Sequence, residues 1–445
     1  MYSKKQLVMD LNEKITILAG AAKYDASCAS SGSGAASGDS RGVPGSKKSG
    51  AAQKFGRSVP AGVCHSWTED GRCVSLLKVL YSNVCLYDCA YCVNRASADI
   101  KRTSFTVQEL VDLTSEFYRR NYIEGLFLSS GIFADPDIVM EKLIETARTL
   151  RTDAGYGGYI HMKIIPGTGE KLIREAGLWV DRLSVNIELP TDKSLQHLAP
   201  EKSGKTILGA MNDFCGLNGE FDEARRKSRF LPQGKEKIPV FAPAGQSTQL
   251  IVGASEEDDR QIVNLSSSLY RKFSLRRVYY SAFISPGVPA RTSSYDSRLP
   301  DISGPPLVRE HRLYQADWLL RFYHFSASEI LTDDQPYLDL QVDPKTDWAL
   351  RRLDFFPVEI NCADYETLLR VPGIGAKTAR RIIETRRSHS LNFDGLHRLG
   401  AVLKRARYFI TCTGSDIEQP DDPLRIRRLL SGTDGAGLQL PLFDF

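Results

Sequence analysis

The sequence contains no apolar run that approaches the roughly 20 residues needed for a membrane-spanning helix. Its first residues, MYSKKQLVMDLNEK, have no apolar core followed by a small-residue cleavage site, which is the pattern of a secretory signal. These two absences predict a cytoplasmic protein without a membrane partner. In a reducing compartment the nine cysteines are not expected to form disulfides, and a cluster of them favours metal binding or chemistry.

The sequence also lacks a strong overall charge, since its formal net charge is only +4 over 445 residues. Apolar residues make up 42% and charged residues 25%, which is ordinary for a globular protein. The length predicts two domains with additional segments. We expect an N-terminal helix with a Gly/Ser-rich flexible segment, a barrel domain, a small all-α domain and a disordered tail, over residues 1–75, 76–330, 341–412 and 413–445, respectively.

Short apolar runs alternate with helical patterns in the middle of the chain. Strands are predicted at residues 78–84, 125–131, 159–165, 181–189, 248–253 and 277–284. Because strands separated by helices form parallel sheets, six repeats predict an α/β fold, a partial (β/α)6 TIM-type barrel with its active site at the carboxyl ends of the strands. An amphipathic helix is predicted near residues 6–24, and an insertion loop around residues 217–238.

Three cysteines directly follow the first predicted barrel strand, in the sequence Cys85-Leu-Tyr-Asp-Cys89-Ala-Tyr-Cys92. Three thiolates at this spacing fit on one tight loop and can hold three irons of a [4Fe–4S] cluster, leaving one iron open to an outside ligand. The alternatives are a zinc site or unrelated buried thiols. Structural zinc sites usually have four protein ligands, and no fourth ligand completes this motif locally.

This motif, with an aromatic residue just before its last cysteine (Tyr91), resembles the signature of the radical S-adenosylmethionine (SAM) superfamily. The resemblance implies that Cys85, Cys89 and Cys92 bind the cluster. It also implies that the open iron binds SAM, which the reduced cluster cleaves to a 5′-deoxyadenosyl radical that abstracts hydrogen from a substrate. An electron donor such as flavodoxin or ferredoxin is then expected.

The resemblance also suggests SAM contacts at other strand ends. Where the superfamily carries a Gly-Gly-Glu motif, the sequence has Ser129, Ser130 and Gly131, so the glutamate is missing. Further candidates are polar residues at period two on the fourth strand and a glycine and a glutamate after the fifth, namely Ser184, Asn186, Glu188, Gly253 and Glu256. The alternative for the fourth strand is a solvated outer face. His161 and Lys163 share one face of the third strand, with the same alternative. No catalytic residue is assigned.

The remaining cysteines form no comparable pattern. Cys64 and Cys73 could bind a second metal with His65, or be buried apolar residues. Cys28, Cys215, Cys362 and Cys412 are scattered and are expected to be structural.

The segment LLRVPGIGAKTARRI, residues 368–382, resembles the helix-hairpin-helix of DNA repair and recombination proteins. In that motif two glycines turn around an apolar plug, and the amides that begin the second helix bind a phosphate. The DNA-binding candidates are Gly373, Gly375, Lys377, Thr378 and Arg381. Twelve basic residues stand against six acidic ones over residues 351–407, which is typical of a phosphate binder. A second, degenerate hairpin is expected at residues 393–410. The alternative is a turn used only for packing or protein contact.

Nearly the full chain resembles a bacterial family of radical SAM proteins associated with DNA modification or repair. That resemblance implies DNA as substrate and a uracil-DNA-glycosylase-like partner. The segment Gln439–Phe443 (QLPLF) resembles the peptide by which repair enzymes bind the sliding clamp, with a hydrophobic cap as the alternative. Two other functions stay open. One is an RNA- or tRNA-modifying radical SAM enzyme, and the other is a non-catalytic iron–sulfur protein that binds DNA or recruits a repair partner to it.

Overall fold

The computed structural model describes residues 9–22, 63–67, 73–228, 238–285, 296–414 and 422–431. The Gly/Ser-rich segment and the Gln439–Phe443 peptide lie outside these residues, as does the rest of the tail beyond residue 431. Within the described part, no helix is both long enough and apolar enough to span a bilayer. The chain divides into two compact units, the first comprising residues 1–255 and 270–305 and the second residues 256–269 and 306–445.

The first unit is built around a seven-stranded sheet whose strands lie in sequence order. The strands are β1 (Val63–Trp67), β2 (Cys73–Leu80), β3 (Gly125–Ser129), β4 (Tyr159–Lys163), β5 (Arg182–Ser184), β6 (Gln246–Val252) and β7 (Arg277–Ala282). β1 pairs antiparallel with β2, and the other neighbours are parallel. The sheet curls into a half-barrel, so the predicted α/β class and the six parallel strands are confirmed.

Helices connect the parallel strands. They are α2 (Val107–Arg119), α3 (Pro136–Thr152), α4 (Glu170–Trp179), α5 (Asp192–Leu198), α6 (Gly204–Ser228) and α7 (Asp259–Phe273), of which α7 crosses the boundary between the units. The helix α1 (Leu11–Ala22) precedes the sheet in the chain and packs against β2. All five residues of β3 and the three central residues of β4 are buried. Continuous burial is typical of parallel strands that are covered on both faces. Neighbouring side chains along each strand still point to opposite faces of the sheet.

Three sequence predictions need correction. The tail over residues 413–445 was expected to be disordered, but residues 423–431 form a helix in which Ile426 is buried. The fourth predicted strand was expected over 181–189, but β5 ends at Ser184, and Glu188 beyond it adopts a left-handed backbone conformation (φ 66°) that a regular strand does not have. Residues 217–228 were expected in a loop, but they continue α6 to Ser228. Phe221 there stacks on Phe241 with ring centroids 5.0 Å apart, and this packing outweighs the glycine and charge content that suggested a loop. Residues 229–237 lie outside the described part.

The second unit is mainly helical, as predicted for the C-terminal region. Beyond its share of α7 it contains α8 (Leu307–Phe322), α9 (Ala327–Ile330), α10 (Pro344–Arg351), a 3₁₀ turn (Leu353–Phe355), α11 (Tyr365–Arg370), α12 (Ala376–Thr385), α13 (Phe393–Arg398), α14 (Leu403–Ala406) and α15 (Pro423–Ser431). It is not purely helical, because β8 (Val358–Glu359) pairs in parallel with β9 (Ile410–Thr411). Strands of two residues carry too little periodicity to be found from sequence.

Candidate functional site

The three-cysteine motif lies in an irregular loop between β2 and α2, at the carboxyl end of the first parallel strand. Arg102 organises this loop from within. Its guanidinium donates hydrogen bonds of 2.6–3.1 Å to four carbonyl oxygens, those of Asn83, Asn94, Arg95 and Ala98. Because a charged donor strengthens each bond, one side chain fixes the path of the chain on both sides of the cysteines.

The three thiols are free, with Cys89 buried and Cys85 and Cys92 partly exposed. The Cys92 amide donates to the Cys89 carbonyl (2.9 Å), and the Asn94 amide donates to Cys92 Sγ (3.4 Å). Burial raises the pKa of Cys92 to about 12 and also raises that of Cys89, and the charges of the neighbouring thiols add to both shifts. The site thus disfavours thiolates unless a cation compensates them.

The donor set of this loop fits an iron–sulfur cluster. Three cysteine thiols are the usual kind of cluster ligand, and because they bind different irons they need not converge on one point. Within the described residues, no three His, Cys, Asp or Glu side chains are grouped as ligands of one ion. Asn94 Oδ1, next to Cys92, is buried without a hydrogen-bond partner within the described residues. This acceptor fits a donor group of a bound molecule rather than the cluster, which has no donor.

A buried ion pair that the sequence did not predict lies beside the cysteine loop. Lys202 Nζ is 2.7 Å from Glu188 Oε1 and 3.4 Å from Tyr91 Oη. Desolvation lowers the pKa of Lys202, but the charges of Glu188, Tyr91 and Cys89 together outweigh it and raise the pKa well above its usual value. Lys202 lies between α5 and α6, outside any strand, so neither spacing nor periodicity could have identified it.

The residues at the end of β3 pack against the cysteine loop. The Ser129 carbonyl accepts from the Tyr81 amide (2.7 Å), and the Gly131 amide donates to the Ser82 carbonyl (2.7 Å). A Cβ at Gly131 would lie 2.4 Å from the Val84 carbonyl oxygen, so this position requires glycine. The Ser130 hydroxyl donates to the Gly131 carbonyl at 2.7 Å. Close contact with the cysteine loop thus explains the glycine of this segment.

The polar candidates on β5 and β6 are brought together in the first unit. Ser184, Asn186 and Glu188 are all buried, which excludes the solvated face considered for them. Asn186 Nδ2 donates to Gln249 Oε1 at 3.1 Å. Gly253 follows β6 with φ 86°, a conformation that favours glycine, whereas Glu256 is exposed and belongs to the second unit.

The candidates on β4 and the remaining cysteines differ in how far they are buried. His161 is buried with its ring 4.6 Å from that of Phe127, and Lys163 is partly buried. Cys64 lies opposite Leu76 on the β1–β2 pair, while the side chains of His65 and Cys73 lie outside the described part, as does Cys28. The other cysteines differ in exposure: Cys215 is partly exposed, Cys362 exposed and Cys412 buried.

The predicted hairpin is formed by α11, a turn and α12. Gly373 has φ 80°, and a Cβ there would lie 2.6 Å from the Val402 carbonyl oxygen. Ile374 is 1% exposed and plugs the turn. The two features explain why the segment needs a glycine followed by an apolar residue. α13 and α14 form a second, shorter helix pair, joined through Gly400 with φ 96°.

The predicted DNA-binding residues of the hairpin have two different environments. Lys377 and Arg381 are exposed, although Arg381 also donates to the Leu399 carbonyl (3.3 Å). Thr378 is buried and its hydroxyl donates to the Gly400 carbonyl (3.2 Å), which ties the first helix pair to the second. Gly375 N-caps α12 without a side-chain cap.

Two side chains that sequence reasoning missed support the hairpin turn. Lys345 Nζ donates to the Ile374 carbonyl (2.6 Å), and burial lowers the pKa of Lys345 to about 7. Tyr323 Oη lies beside the turn, since a Cβ on Gly375 would be 3.3 Å from it, and it is hydrogen-bonded to the Trp318 side chain. Both supports come from helices outside the motif, so the motif itself could not reveal them.

Comparison with known proteins identifies a domain in each half of the chain. Residues 79–220 match the radical SAM superfamily, and residues 355–404 match the helix-hairpin-helix motif. No curated protein matches the chain significantly.

Among solved structures, the chain resembles HydG, a maturase of the [FeFe]-hydrogenase (12% identity, TM-score 0.38, covering 54% of this chain and 48% of that one). HydG from Carboxydothermus hydrogenoformans is similar at 15% identity, with TM-score 0.38 and coverages of 54% and 49%. OxsB, a cobalamin-dependent SAM radical enzyme, is similar at 10% identity, with TM-score 0.30 and coverages of 73% and 51%. The chain spans about half the length of these proteins. By the family matches alone, residues 79–220 are similar to the radical SAM superfamily, whose members use SAM and an iron–sulfur cluster, and residues 355–404 are similar to the helix-hairpin-helix motif.

Proposed function

We propose that the protein is a radical SAM enzyme that acts on DNA, in modification or repair. The observation that carries this proposal is the group of three free thiols on the loop after β2, within the matched domain of a chain that also contains a helix-hairpin-helix. The thiols supply the cluster site, and the hairpin supplies affinity for a phosphate backbone.

In this proposal Cys85, Cys89 and Cys92 hold a [4Fe–4S] cluster. When bound, the cluster and SAM supply an organic radical that abstracts hydrogen from the substrate. The protein's own residues orient these groups. Arg102 fixes the loop. The Asn94 amide donates to Cys92 Sγ, and such a bond would tune the reduction potential of the cluster. Lys202 balances negative charge beside Cys89. An external donor such as a flavodoxin or ferredoxin would supply the electron.

The buried polar groups of the half-barrel are the proposed contacts of SAM. Ser184, Asn186 and Glu188 follow one another on β5 and beyond it, and the Asn186–Gln249 bond holds two amides in place. Gly253 allows a ligand to approach the backbone closely. Backbone groups at residues 129–131 would serve where the superfamily has a glutamate.

The nucleic acid is held by the backbone of the hairpin. The N-terminus of α12 presents amides and a partial positive charge, and Lys377 and Arg381 add exposed positive charge. Such contacts bind phosphates without selecting a sequence. A base that reacts within a barrel would have to leave its stack.

The test is anaerobic reconstitution of the full chain with iron and sulfide. We expect cluster absorbance and, with SAM and reductant, release of 5′-deoxyadenosine. Cys85→Ala, Cys89→Ala and Cys92→Ala should each lose both, whereas Cys215→Ala, a partly exposed cysteine of α6, should retain both. Product formation that is unaffected by the three substitutions would contradict the assignment.

Two other functions have support from particular features. The superfamily's glutamate is missing after β3, and this favours a non-catalytic iron–sulfur protein that binds DNA. In such a protein the cluster would form, but SAM would not be cleaved even with DNA present. A hairpin of this kind binds any phosphate backbone, so the second alternative is an enzyme whose substrate is RNA or tRNA. Binding of duplex DNA and tRNA, compared over a salt series, separates these substrates.

A further inference from the structure

The last turn of α8, in the second unit, presents two aromatic side chains to solvent. Trp318 and Phe322 are one helical turn apart, are each 40% exposed, and have ring centroids 4.3 Å apart at an interplanar angle of 49°. The guanidinium of Arg321 lies 4.7 Å from the centre of the Phe322 ring. The Arg321 guanidinium stabilises one side of the Phe322 ring, whereas the aromatic surface that stays in water can bind a stacking partner.

The Tyr323 side chain connects this aromatic pair to the hairpin. Its hydroxyl oxygen is hydrogen-bonded to the Trp318 side chain. The same oxygen lies beside Gly375, because a Cβ on that glycine would be 3.3 Å from it. One hydroxyl thus contacts both the indole and the residue that N-caps α12.

The position of this pair is held firmly. The Tyr323 ring lies under the Lys345 ammonium, 4.7 Å from the ring centre, and Lys345 also supports the hairpin carbonyl of Ile374. Arg370 Nη1 donates to the Tyr323 carbonyl at 3.1 Å, so α11 fixes the end of α8 as well. These contacts fix Tyr323, which lies between the aromatic pair and the hairpin turn, to α10 and α11 of this unit.

We propose that Trp318 and Phe322 form a stacking platform for an unpaired nucleobase of a strand whose phosphate is bound at the hairpin. This inference rests on the proposed function and narrows its substrate to nucleic acid with single-stranded or unpaired nucleotides. Every base has a π-face, so stacking on aromatic side chains does not depend on the base sequence. Binding of the phosphate backbone by the hairpin does not depend on it either. Bases in a paired duplex are stacked on each other and do not offer that face.

The nearby charge agrees with this occupant. Lys377, Arg380 and Arg381 on α12 are exposed. Arg321, at the platform, is ion-paired with the buried Asp317 (3.5 Å), so the charge that favours a nucleic acid comes from α12. Exposed aromatic rings together with exposed cations are typical of proteins that bind single strands, whereas an apolar protein partner would not need the cations.

The test measures fluorescence anisotropy of the reconstituted full chain with a labelled twelve-residue oligothymidylate, and with a blunt duplex of the same length. We expect Trp318→Ala and Phe322→Ala each to weaken single-strand affinity about tenfold and duplex affinity less than about twofold. Trp318→Phe, which keeps a stacking ring but loses the indole N–H, should stay within about threefold of the wild type. Tyr122→Ala, which removes an exposed aromatic ring of the first unit, is the control and should change nothing.

The slope of affinity against salt separates stacking from charge. It should be unchanged in Trp318→Ala, since no cation is removed. Equal losses for Trp318→Ala and Trp318→Phe would show that the indole only supports Tyr323 and would overturn the platform. So would unchanged single-strand affinity in Trp318→Ala and Phe322→Ala. Absence of all oligonucleotide binding by the wild type would instead overturn the nucleic-acid substrate of the proposed function, together with the platform.

Discussion

The cysteine loop and the hairpin are both short motifs between regular elements. The loop acts through its side chains, whereas the hairpin acts through its backbone. The loop presents side chains, three thiols, and fixes them by hydrogen bonds from Arg102 to backbone carbonyls. The hairpin presents backbone amides, and its turn is supported by side chains from outside the motif, Lys345 at the Ile374 carbonyl and Tyr323 beside Gly375. Function can thus lie in the side chains with the backbone as scaffold, or in the backbone with side chains as scaffold.

The difference predicts that a substitution can abolish iron binding by the cysteine loop without affecting oligonucleotide binding by the hairpin, and the reverse. The largest effect should come from Arg102→Met, which removes one charged donor and leaves four carbonyls of the cysteine loop to find other partners. We expect the free energy of unfolding to fall by about 3 kcal/mol or more, with most of the reconstituted iron lost.

Chemical denaturation and iron analysis measure these two losses, and Arg120→Met, at an exposed arginine paired with Glu116, is the control. Oligonucleotide affinity of the remaining folded Arg102→Met protein should equal that of the wild type. Iron content that stays at the wild-type level would show that Arg102 does not organise the cysteine loop.

The next effect concerns the hairpin backbone. Gly373→Ala places a Cβ against the Val402 carbonyl at a residue with φ 80°, so we expect a loss of about 2 kcal/mol in stability and about tenfold in affinity for oligonucleotide. Iron content should not change.

Gly209→Ala is the matched control for this substitution, since its Cβ would meet nothing within 4 Å in the interior of α6. It should raise stability by roughly 0.5–1 kcal/mol. A Gly373→Ala protein that binds oligonucleotide as tightly as the wild type would contradict a backbone role for the turn.

A smaller effect depends on pH. The pKa of Lys345 is about 7 in the folded protein and well above that in the unfolded chain, so the folded protein binds fewer protons between these values. The free energy of unfolding should therefore rise with pH above 7, by about 1 kcal/mol per pH unit from this residue.

Lys345→Met removes this contribution. Melting temperatures of the wild type and Lys345→Met, measured at pH 6.5, 7.5 and 8.5, should diverge in favour of the wild type as the pH rises. Parallel curves would show that Lys345 is charged throughout this range.

The smallest effect is electrostatic. Lys377→Ala removes one exposed cation from α12, so it should weaken duplex binding a few-fold at low salt and reduce the slope of log K against log salt by about 0.9. Lys171→Ala, at an exposed lysine of α4, should leave the slope as it is. An unchanged slope in Lys377→Ala would place the phosphate elsewhere.

The same contrast explains what sequence reasoning could and could not find. The six parallel strands, the cysteine motif and the hairpin were predicted, because period-two patterning, thiol spacing and a Pro-Gly turn are local signals. Glu188 was assigned to a regular strand, although its left-handed conformation and its bond to Lys202 arise from tertiary packing. Arg102, Lys202, Tyr323 and Lys345 were missed for the same reason, since each acts on a segment remote from it or on backbone atoms that carry no sequence pattern.

The most direct test of the central claim is electron paramagnetic resonance of the anaerobically reconstituted, reduced protein with and without SAM. The account predicts the signal of a reduced [4Fe–4S] cluster whose shape changes when SAM is added, because one iron lacks a protein ligand. Zinc in place of iron, or a cluster signal that SAM leaves unchanged, would contradict it.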